Sequence, residues 1–295
     1  MTDSTRHSTG NPALDEALGG GLLPGRLTVV VGSTGIGKTQ LGIQYARAGS
    51  EQEGRSGVVF DMTARGDSQS HLEYARRMFG WELATASAEK NPELLGFFET
   101  RRSFGDYLHV FEHKGRRVTR TDLEFEEWHA WQGELNARLA AAIAFLYGNF
   151  IGGVRRVVVD GIEPSDKPGE SIQFHLFEYL YHQVLRKEPQ WVARDLFRQH
   201  YRELAEAAAQ REYPIDQVSC LLLATAHEAL LDELIARPLD QGDALSNANT
   251  LIYMGKVRQG DRMGRALYIS KHRGSACDER IIPYRITDRG IELES

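Results

Sequence analysis

Hydrophobic residues in this chain occur in two patterns that alternate along its length. Short runs rich in Val, Ile and Leu predict buried strands of a parallel sheet, at 27–31, 57–60, 154–159 and 218–226. Apolar residues at helical spacing predict helices between these strands, at 40–48, 69–79, 134–150 and within 163–217. Three further strands are predicted near the C-terminus, at 249–254, 262–269 and 281–286. The pattern predicts an α/β domain with a mostly parallel central sheet, flanking helices and a C-terminal β-hairpin.

The first predicted strand leads into residues 32–39, Gly-Ser-Thr-Gly-Ile-Gly-Lys-Thr, which fit the phosphate-binding loop pattern G-x-x-x-x-G-K-[ST]. Glycines in such a loop let several backbone N–H groups turn inward onto a phosphate. Lys38 can place its charge on the β- and γ-phosphates, and the hydroxyl of Thr39 can ligate Mg²⁺. A chance glycine-rich turn is the alternative, but the strand before the loop and the helix after it favour nucleotide binding. The predicted nucleotide-binding residues of this segment are Gly32, Ser33, Thr34, Gly35, Ile36, Gly37, Lys38, Thr39 and Gln40.

Polar residues follow three of the predicted strands, at the sheet edge where the phosphate loop also lies. Asp160 ends the strand at 154–159 and can hold Mg²⁺ through water beside Thr39. Asp61 ends the second strand and places a carboxylate at this edge. His227 follows the strand at 218–226, and it can either sense the γ-phosphate or merely cap the strand. ATP is favoured over GTP as the ligand, because the chain has no N-K-x-D motif of the kind that selects guanine.

Two stretches of the sequence resemble KaiC-like ATPases of the RecA superfamily. Residues 14–25 read L-D-x-x-L-G-G-G-L…P-G before the first strand, and residues 271–278 read K-x-R-G-S…D before the last strands. The resemblance covers roughly residues 13–80 and 154–295. It implies a single-domain, RecA-like P-loop NTPase that binds ATP and Mg²⁺ between the subunits of a homo-oligomeric, hexameric ring.

The resemblance also implies roles for individual residues. In the family, the Lys and the Arg of the second motif reach across a subunit boundary to the γ-phosphate, and Lys271 and Arg273 match them position by position. The second strand of the family ends in two glutamates, the first of which activates the attacking water. Asp61 and Met62 stand at that place here, so Asp61 is the candidate for orienting water. Slow hydrolysis is expected, because the shorter carboxylate must sit closer to the water.

Composition and charge argue against several other classes of protein. The formal net charge of −6 gives no reason to expect a polyanion as the main partner, so nucleic-acid binding ranks low. The basic cluster at 113–117, with Arg120, fits a solvated hairpin tip better than a nucleic-acid contact. Cys220 and Cys277 make neither a disulfide framework nor a zinc site. A polar N-terminus without a signal pattern, and the lack of an apolar run of ~20 residues, predict a cytoplasmic protein without membrane insertion.

We expect a flexible N-terminal arm at 1–10 and one nucleotide-binding domain at 11–295, with expansions at about 84–150 and 163–217. The helical residues 189–211 are charged enough to form a docking surface for a protein partner, with core packing as the alternative. Three functions stay open: a slowly hydrolysing, ring-forming ATPase, an ATP-gated assembly or signalling scaffold that does not hydrolyse, and a DNA recombinase or helicase relative. The acidic charge places the third last.

Overall fold

The computed structural model describes residues 6–63, 71–87, 94, 96–98, 103–111, 125–162, 171–236 and 247–294, except the side chains of 125–137 and 172. In this part of the chain a ten-stranded sheet carries a hydrophobic core on each face. The strands are β1 Leu27–Gly32, β2 Val58–Asp61, β3 Thr85–Ala86, β4 Tyr107–His109, β5 Arg156–Ile162, β6 Ser219–Thr225, β7 Thr250–Gln259, β8 Arg262–His272, β9 Ile282–Thr287 and β10 Gly290–Leu293. The helices are α1 Pro12–Ala17, α2 Lys38–Gln52, α3 His71–Phe79, α4 Phe125–Ile151, α5 Ile172–Leu180, α6 Pro189–Phe197, α7 Tyr201–Ala209 and α8 Leu231–Ala236.

The strand order is β10-β9-β8-β7-β1-β6-β5-β2-β4-β3. The strands from β7 to β3 in this order pair in parallel, and β8, β9 and β10 continue the sheet in antiparallel pairing. The predicted α/β fold, with a mostly parallel sheet and antiparallel C-terminal strands, is confirmed. Because β1 lies between β6 and β7, the loop that follows it opens in the interior of the carboxyl edge of the sheet.

Residues 6–10 differ from the flexible arm that we expected. His7 forms an antiparallel bridge with Leu22 through two backbone hydrogen bonds of 2.9 and 2.8 Å. The hydroxyl of Thr9 donates a 2.7 Å hydrogen bond to Asp15, and both His7 and Thr9 are buried. The backbone of His7 and the hydroxyl of Thr9 find partners within the protein, which is why a polar composition did not mean exposure here.

Helix α2 extends beyond the end that we predicted at residue 48. It continues to Gln52, and the N–H of Glu53 caps it by donating to the carbonyl of Gly49. Gly49 is buried, and a Cβ at this position would lie 2.6 Å from the carbonyl oxygen of Arg55. The glycine therefore permits close packing of the helix against the next segment and does not end the helix.

The two predicted expansions pack against each other. The Phe197 ring of α6 lies 5.2 Å from the Phe97 ring and 6.1 Å from the Tyr147 ring of α4, measured between centroids. Contacts between aromatic rings of this kind stabilise a core by more than the burial of their surface alone. The expansions thus share one hydrophobic cluster above the sheet.

The helical segment predicted at 189–211 is two helices, α6 and α7. The backbone of Arg198 turns between them with a φ of 45°. Trp191 of α6 is 53% exposed, and the use of this segment as a docking surface stays a prediction. The basic cluster at 113–117 lies outside the described residues.

Candidate functional site

The loop between β1 and α2 has the backbone shape that phosphate binding requires. Gly35 and Gly37 adopt φ angles of +75° and +107°, in the left-handed region that favours glycine. A Cβ on Gly37 would lie 2.6 Å from Cδ1 of Ile291, so this glycine also permits the C-terminal strands to approach the loop. Helix α2 begins directly after the loop, and its N-terminal N–H groups and dipole favour an anion there. Of the other predicted residues, Gly32, Ile36 and Gln40 are buried, Ser33 is half-buried and Thr34 is exposed.

Lys38 is the buried cation of this loop, with only 6% of its surface exposed. Its ammonium group donates hydrogen bonds of 2.8 Å to the carbonyl of Gly32 and 3.0 Å to that of Ser33. Burial lowers the pKa of Lys38 to about 8, and the carboxylate of Asp160 opposes this shift. These two carbonyl groups therefore hold the ammonium group at the loop, and the oxygens of an anionic ligand can replace them.

Thr39 and Asp160 are brought together as we expected. The hydroxyl of Thr39 donates a 2.8 Å hydrogen bond to Oδ2 of Asp160. Because its proton is directed at the carboxylate, the oxygen lone pairs of Thr39 are free to ligate a cation. Burial would raise the pKa of Asp160, but hydrogen bonds from His71 and Thr39 and the charges of His71 and Lys38 hold it below its usual value. The carboxylate is thus ionised and suited to holding Mg²⁺ through water.

The carboxyl ends of β2 and β5 are joined closely at the site. Asp61 and Asp160 are register partners on these adjacent strands, and the N–H of Met62 donates a 2.7 Å hydrogen bond to the carbonyl of Asp160. Gly161 has a φ of +107°, and a Cβ on it would lie 2.3 Å from the nitrogen of Thr63. The glycine therefore permits a close approach that places two carboxylates side by side.

His71, the first residue of α3, lies between these two carboxylates, and it was not among the residues that we predicted. Its Nε2 is 3.0 Å from Oδ2 of Asp160, and its Nδ1 is 3.4 Å from Oδ2 of Asp61. Burial would lower the pKa of His71, but the hydrogen bond to Asp160 and the charges of both carboxylates raise it above its usual value. The signal was a polar residue on the buried stripe of an amphipathic helix, which continues through Tyr74, Ala75 and Met78.

Asp61 is only 2% exposed, and both of its carboxylate oxygens have partners. Oδ1 accepts a 2.8 Å hydrogen bond from the N–H of Thr63. Oδ2 accepts a 2.6 Å hydrogen bond from the hydroxyl of Tyr107 and also faces His71. The expected role of Asp61, orienting the attacking water, stays a prediction. The surroundings of Asp61 differ from those of a carboxylate whose oxygens are accessible to water.

His227 lies on the same edge of the sheet as the phosphate loop. It follows β6, and the N–H of the preceding Ala226 donates a 3.0 Å hydrogen bond to the carbonyl of Gly32 at the start of the loop. The side chain of His227 is exposed. Its position is compatible with both roles that we considered, γ-phosphate contact and strand capping.

Lys271 and Arg273 lie at the opposite edge of the sheet. His272 between them pairs with Thr250, the first residue of β7, which in turn pairs with Thr28 near the start of β1. The length of β1 separates this turn from the phosphate loop, a distance of about 16 Å at roughly 3.3 Å per residue. Arg273 is exposed, and burial and the charge of Arg273 lower the pKa of the half-buried Lys271. The structure does not bring these two cations to the phosphate loop of their own chain.

Comparison with known proteins agrees with the geometry of the loop. A family model described as the KaiC ATPase matches residues 7–171, which is more than half of the 295-residue chain. The chain belongs to the KaiC ATPase family. The matched residues include the phosphate loop, Asp61, His71 and Asp160. A KaiC-type ATPase domain is RecA-like and nucleotide-binding, so the fold and the general class of ligand that we predicted are confirmed.

A curated relative supports this assignment over a shorter segment. The chain is similar to the circadian clock protein KaiC2 of Synechocystis sp., with 33% identity over 96 residues. The matched segment is 30% of this chain and 16% of that relative's length. Lys271 and Arg273 lie beyond the residues that the family model matches, so their roles stay predictions. None of the helices in the described ranges is long and apolar enough to cross a membrane.

Proposed function

We propose that this KaiC-family protein binds ATP with Mg²⁺ at residues 32–39 and hydrolyses it slowly within a ring of identical subunits. The observation that supports this most directly is the 2.8 Å hydrogen bond from the Thr39 hydroxyl to Asp160, beside the buried ammonium group of Lys38. A phosphate loop uses these three groups to bind a nucleotide and its metal ion. Family membership supports the same class of ligand.

The residues of the loop fit the proposed ligand. The backbone N–H groups around Gly35 and Gly37 would cradle the phosphates, and Lys38 would exchange its loop carbonyls for β- and γ-phosphate oxygens. Thr39 would ligate Mg²⁺ directly, and Asp160 would do so through water. When bound, Mg²⁺ neutralises negative charge on the phosphate oxygens. His227, on the same edge, would contact the γ-phosphate.

The proposed ring is supported by the positions of the phosphate loop and of the turn that carries Lys271 and Arg273, here called the cationic turn. Lys271 and Arg273 lie at the amino edge of the sheet, and the phosphate loop lies at the carboxyl edge. Cations at this turn could therefore reach a γ-phosphate only if a second subunit packs head-to-tail against the first. Head-to-tail contacts generate a closed ring when the rotation per subunit closes, and we propose a hexamer. Positive charge supplied by the neighbour would stabilise the charge that develops during phosphoryl transfer.

A second function is favoured by one specific observation. Both oxygens of Asp61 already accept hydrogen bonds, and the side chain is buried. If no other group orients the attacking water, ATP would remain bound and would mainly join subunits. The protein would then act as an ATP-gated assembly or signalling scaffold.

Measuring molecular mass and phosphate release together distinguishes these functions. Light scattering after size-exclusion chromatography would be recorded with and without ATP and Mg²⁺, and phosphate release would be followed on the same samples. An ATP-dependent rise in mass with steady phosphate release supports the ATPase, and the same rise without release supports the scaffold. The Lys38→Ala variant is the control, because loss of the ammonium group should abolish both responses. If calorimetry detects no ATP binding to the unmodified protein, both proposals are wrong.

A further inference from the structure

The buried contacts of Asp61 indicate a role other than orienting water. We infer that Asp61 is a positioning residue that acts through His71 on Asp160, the carboxylate that holds Mg²⁺ in the proposed site. This inference rests on the proposed binding of ATP with Mg²⁺. It assigns His71 to the site as the residue that connects the two carboxylates.

The first argument concerns access to Asp61. A carboxylate that orients a water molecule needs an unoccupied lone pair directed at the reacting group. Oδ1 of Asp61 accepts from the N–H of Thr63, and Oδ2 accepts from the hydroxyl of Tyr107 and faces Nδ1 of His71. Asp61 is only 2% exposed, and these contacts direct both of its carboxylate oxygens at protein groups.

The second argument concerns the imidazole ring of His71, which is held from several sides. Asp61 lies on its Nδ1 side and Asp160 on its Nε2 side, at 3.4 and 3.0 Å. The ring of Tyr107 packs against it with a centroid distance of 5.5 Å and a tilt of 39°. A carboxylate behind a histidine fixes the orientation of the ring and the nitrogen that carries the proton. Here the fixed Nε2 is directed at Asp160.

The third argument concerns Asp160 itself. Its Oδ2 accepts from both Thr39 and His71, at 2.8 and 3.0 Å. Two donors on one oxygen fix the rotation of the carboxylate and leave Oδ1 as the oxygen for the water ligands of Mg²⁺. His71 also separates the negative charges of the register partners Asp61 and Asp160, which would otherwise repel each other. Removing the support of His71 should therefore weaken the metal site while the phosphate loop stays intact.

Two substitutions at Asp61 distinguish a positioning residue from a residue that orients water. In Asp61→Asn, the amide can still accept from Thr63 and can donate to Nδ1 of His71, whose Nε2–H then still donates to Asp160. We expect phosphate release by Asp61→Asn to stay within about threefold of the unmodified protein, and that by Asp61→Ala to fall by roughly 10–100-fold. A residue that orients water would instead lose roughly 10²–10⁴-fold in both variants, because neither side chain is a base. Equal, severe losses in the two variants would overturn the inference.

A second readout does not depend on turnover. Calorimetry measures the affinity for ADP at a series of Mg²⁺ concentrations. From this series one obtains the Mg²⁺ concentration at which the increase in ADP affinity is half of its maximum. We expect this concentration to rise by roughly 10–100-fold in His71→Ala and in Asp61→Ala. It should recover in His71→Gln, whose amide can still donate to Asp160. ADP affinity without Mg²⁺ should change little in these variants, because Lys38 and the loop glycines are retained.

Matched control variants distinguish a failure of this inference from a failure of the proposed function. His7 is another buried histidine, at 5% exposure, and it lies outside the site, so His7→Gln should leave the Mg²⁺ dependence unchanged. Tyr107→Phe removes one donor to Asp61 without emptying the core, and it should shift the Mg²⁺ dependence in the same direction by a smaller factor. If His71→Ala and Tyr107→Phe bind Mg²⁺–ADP like the unmodified protein, the inference is wrong and the proposed nucleotide site stands. If the unmodified protein binds no nucleotide, the proposed function fails first and the inference fails with it.

Discussion

The hydroxyl of Tyr284 donates a 2.7 Å hydrogen bond to the carbonyl oxygen of Ile36, which ties β9 to the middle of the phosphate loop. The neighbouring strand β10 is tied to the same region, because Gln44 of α2 exchanges hydrogen bonds of 2.8 and 3.2 Å with the backbone of Ile291. The C-terminal hairpin therefore supports the loop from the side, in a segment that the family model does not reach.

We predict that Tyr284→Phe weakens ATP binding several-fold and lowers the free energy of unfolding by about 1–3 kcal/mol, because the buried carbonyl of Ile36 loses its partner. Calorimetry and urea denaturation would measure the two effects. Tyr213→Phe is the matched control, since the buried hydroxyl of Tyr213 has no hydrogen-bond partner in the described part of the chain. Equal nucleotide affinity in both variants would show that the hairpin does not support the loop.

Lys38 should make nucleotide affinity depend on pH in the alkaline range. Its pKa in the nucleotide-free protein is lowered to about 8, and bound phosphates would raise this pKa again. Affinity should therefore be constant below pH 8 and fall as the pH rises above it, by about tenfold at pH 9, with proton uptake on binding. Calorimetry in buffers of different ionisation enthalpy measures that uptake.

Lys38→Arg provides the comparison for this prediction. Arginine keeps its charge throughout the same range, so any affinity that the variant retains should not fall between pH 8 and pH 9. Proton release on binding, or the same pH dependence in the arginine variant, would contradict an origin in Lys38.

The two left-handed glycines of the loop should differ in their tolerance of a methyl group. A Cβ at Gly35 would meet no atom within 4 Å, whereas one at Gly37 would lie 2.6 Å from Cδ1 of Ile291. Without nucleotide, Gly35→Ala should destabilise the protein by about 1–2 kcal/mol through backbone strain alone. Gly37→Ala should cost roughly 1–3 kcal/mol more through overpacking. Urea denaturation tests this difference, and Ile291→Ala should remove part of the excess cost in the Gly37→Ala background but not in the Gly35→Ala background.

Mixed assemblies test whether Lys271 and Arg273 act on the neighbouring subunit. Lys38→Ala subunits lack a working loop but keep the cationic turn, and Arg273→Ala subunits have the reverse defect. Each variant alone should be inactive, whereas an equal mixture should recover roughly a quarter of the phosphate release, since one interface in four combines the intact halves. Absence of recovery in assemblies that demonstrably contain both variants would contradict action between subunits.

The sequence predicted those parts of the site that depend on contiguous residues. The phosphate loop needs a strand, glycines and a helix in direct succession, and Asp160 needs only a strand that ends in an acid. His71 was not predicted, because its partners lie elsewhere in the chain. Asp160, for example, is 89 positions away. Only the alignment of β2 with β5 brings the two carboxylates to either side of this histidine.

Residues 6–10 differ from the predicted flexible arm for a related reason. A run of polar residues predicts exposure when water is assumed to satisfy their hydrogen bonds. In the structure, Asp15 accepts from both Ser8 and Thr9. Nearby, the guanidinium group of the fully buried Arg156 donates to the carbonyl of Ser8 and to Glu53. Composition does not indicate whether a polar group will meet water or a distant side chain.

The cationic turn and the phosphate loop lie on opposite edges of one sheet, so the molecule has two chemically different ends. In the proposed arrangement each protomer carries two half-sites that face away from each other, so an isolated copy has no complete centre. An open arc always leaves its terminal loop without a donor of positive charge, and closing the arc completes that last centre. Loss of the cations of one protomer would then inactivate the centre of its neighbour, while its own loop would still receive cations from the protomer on the other side.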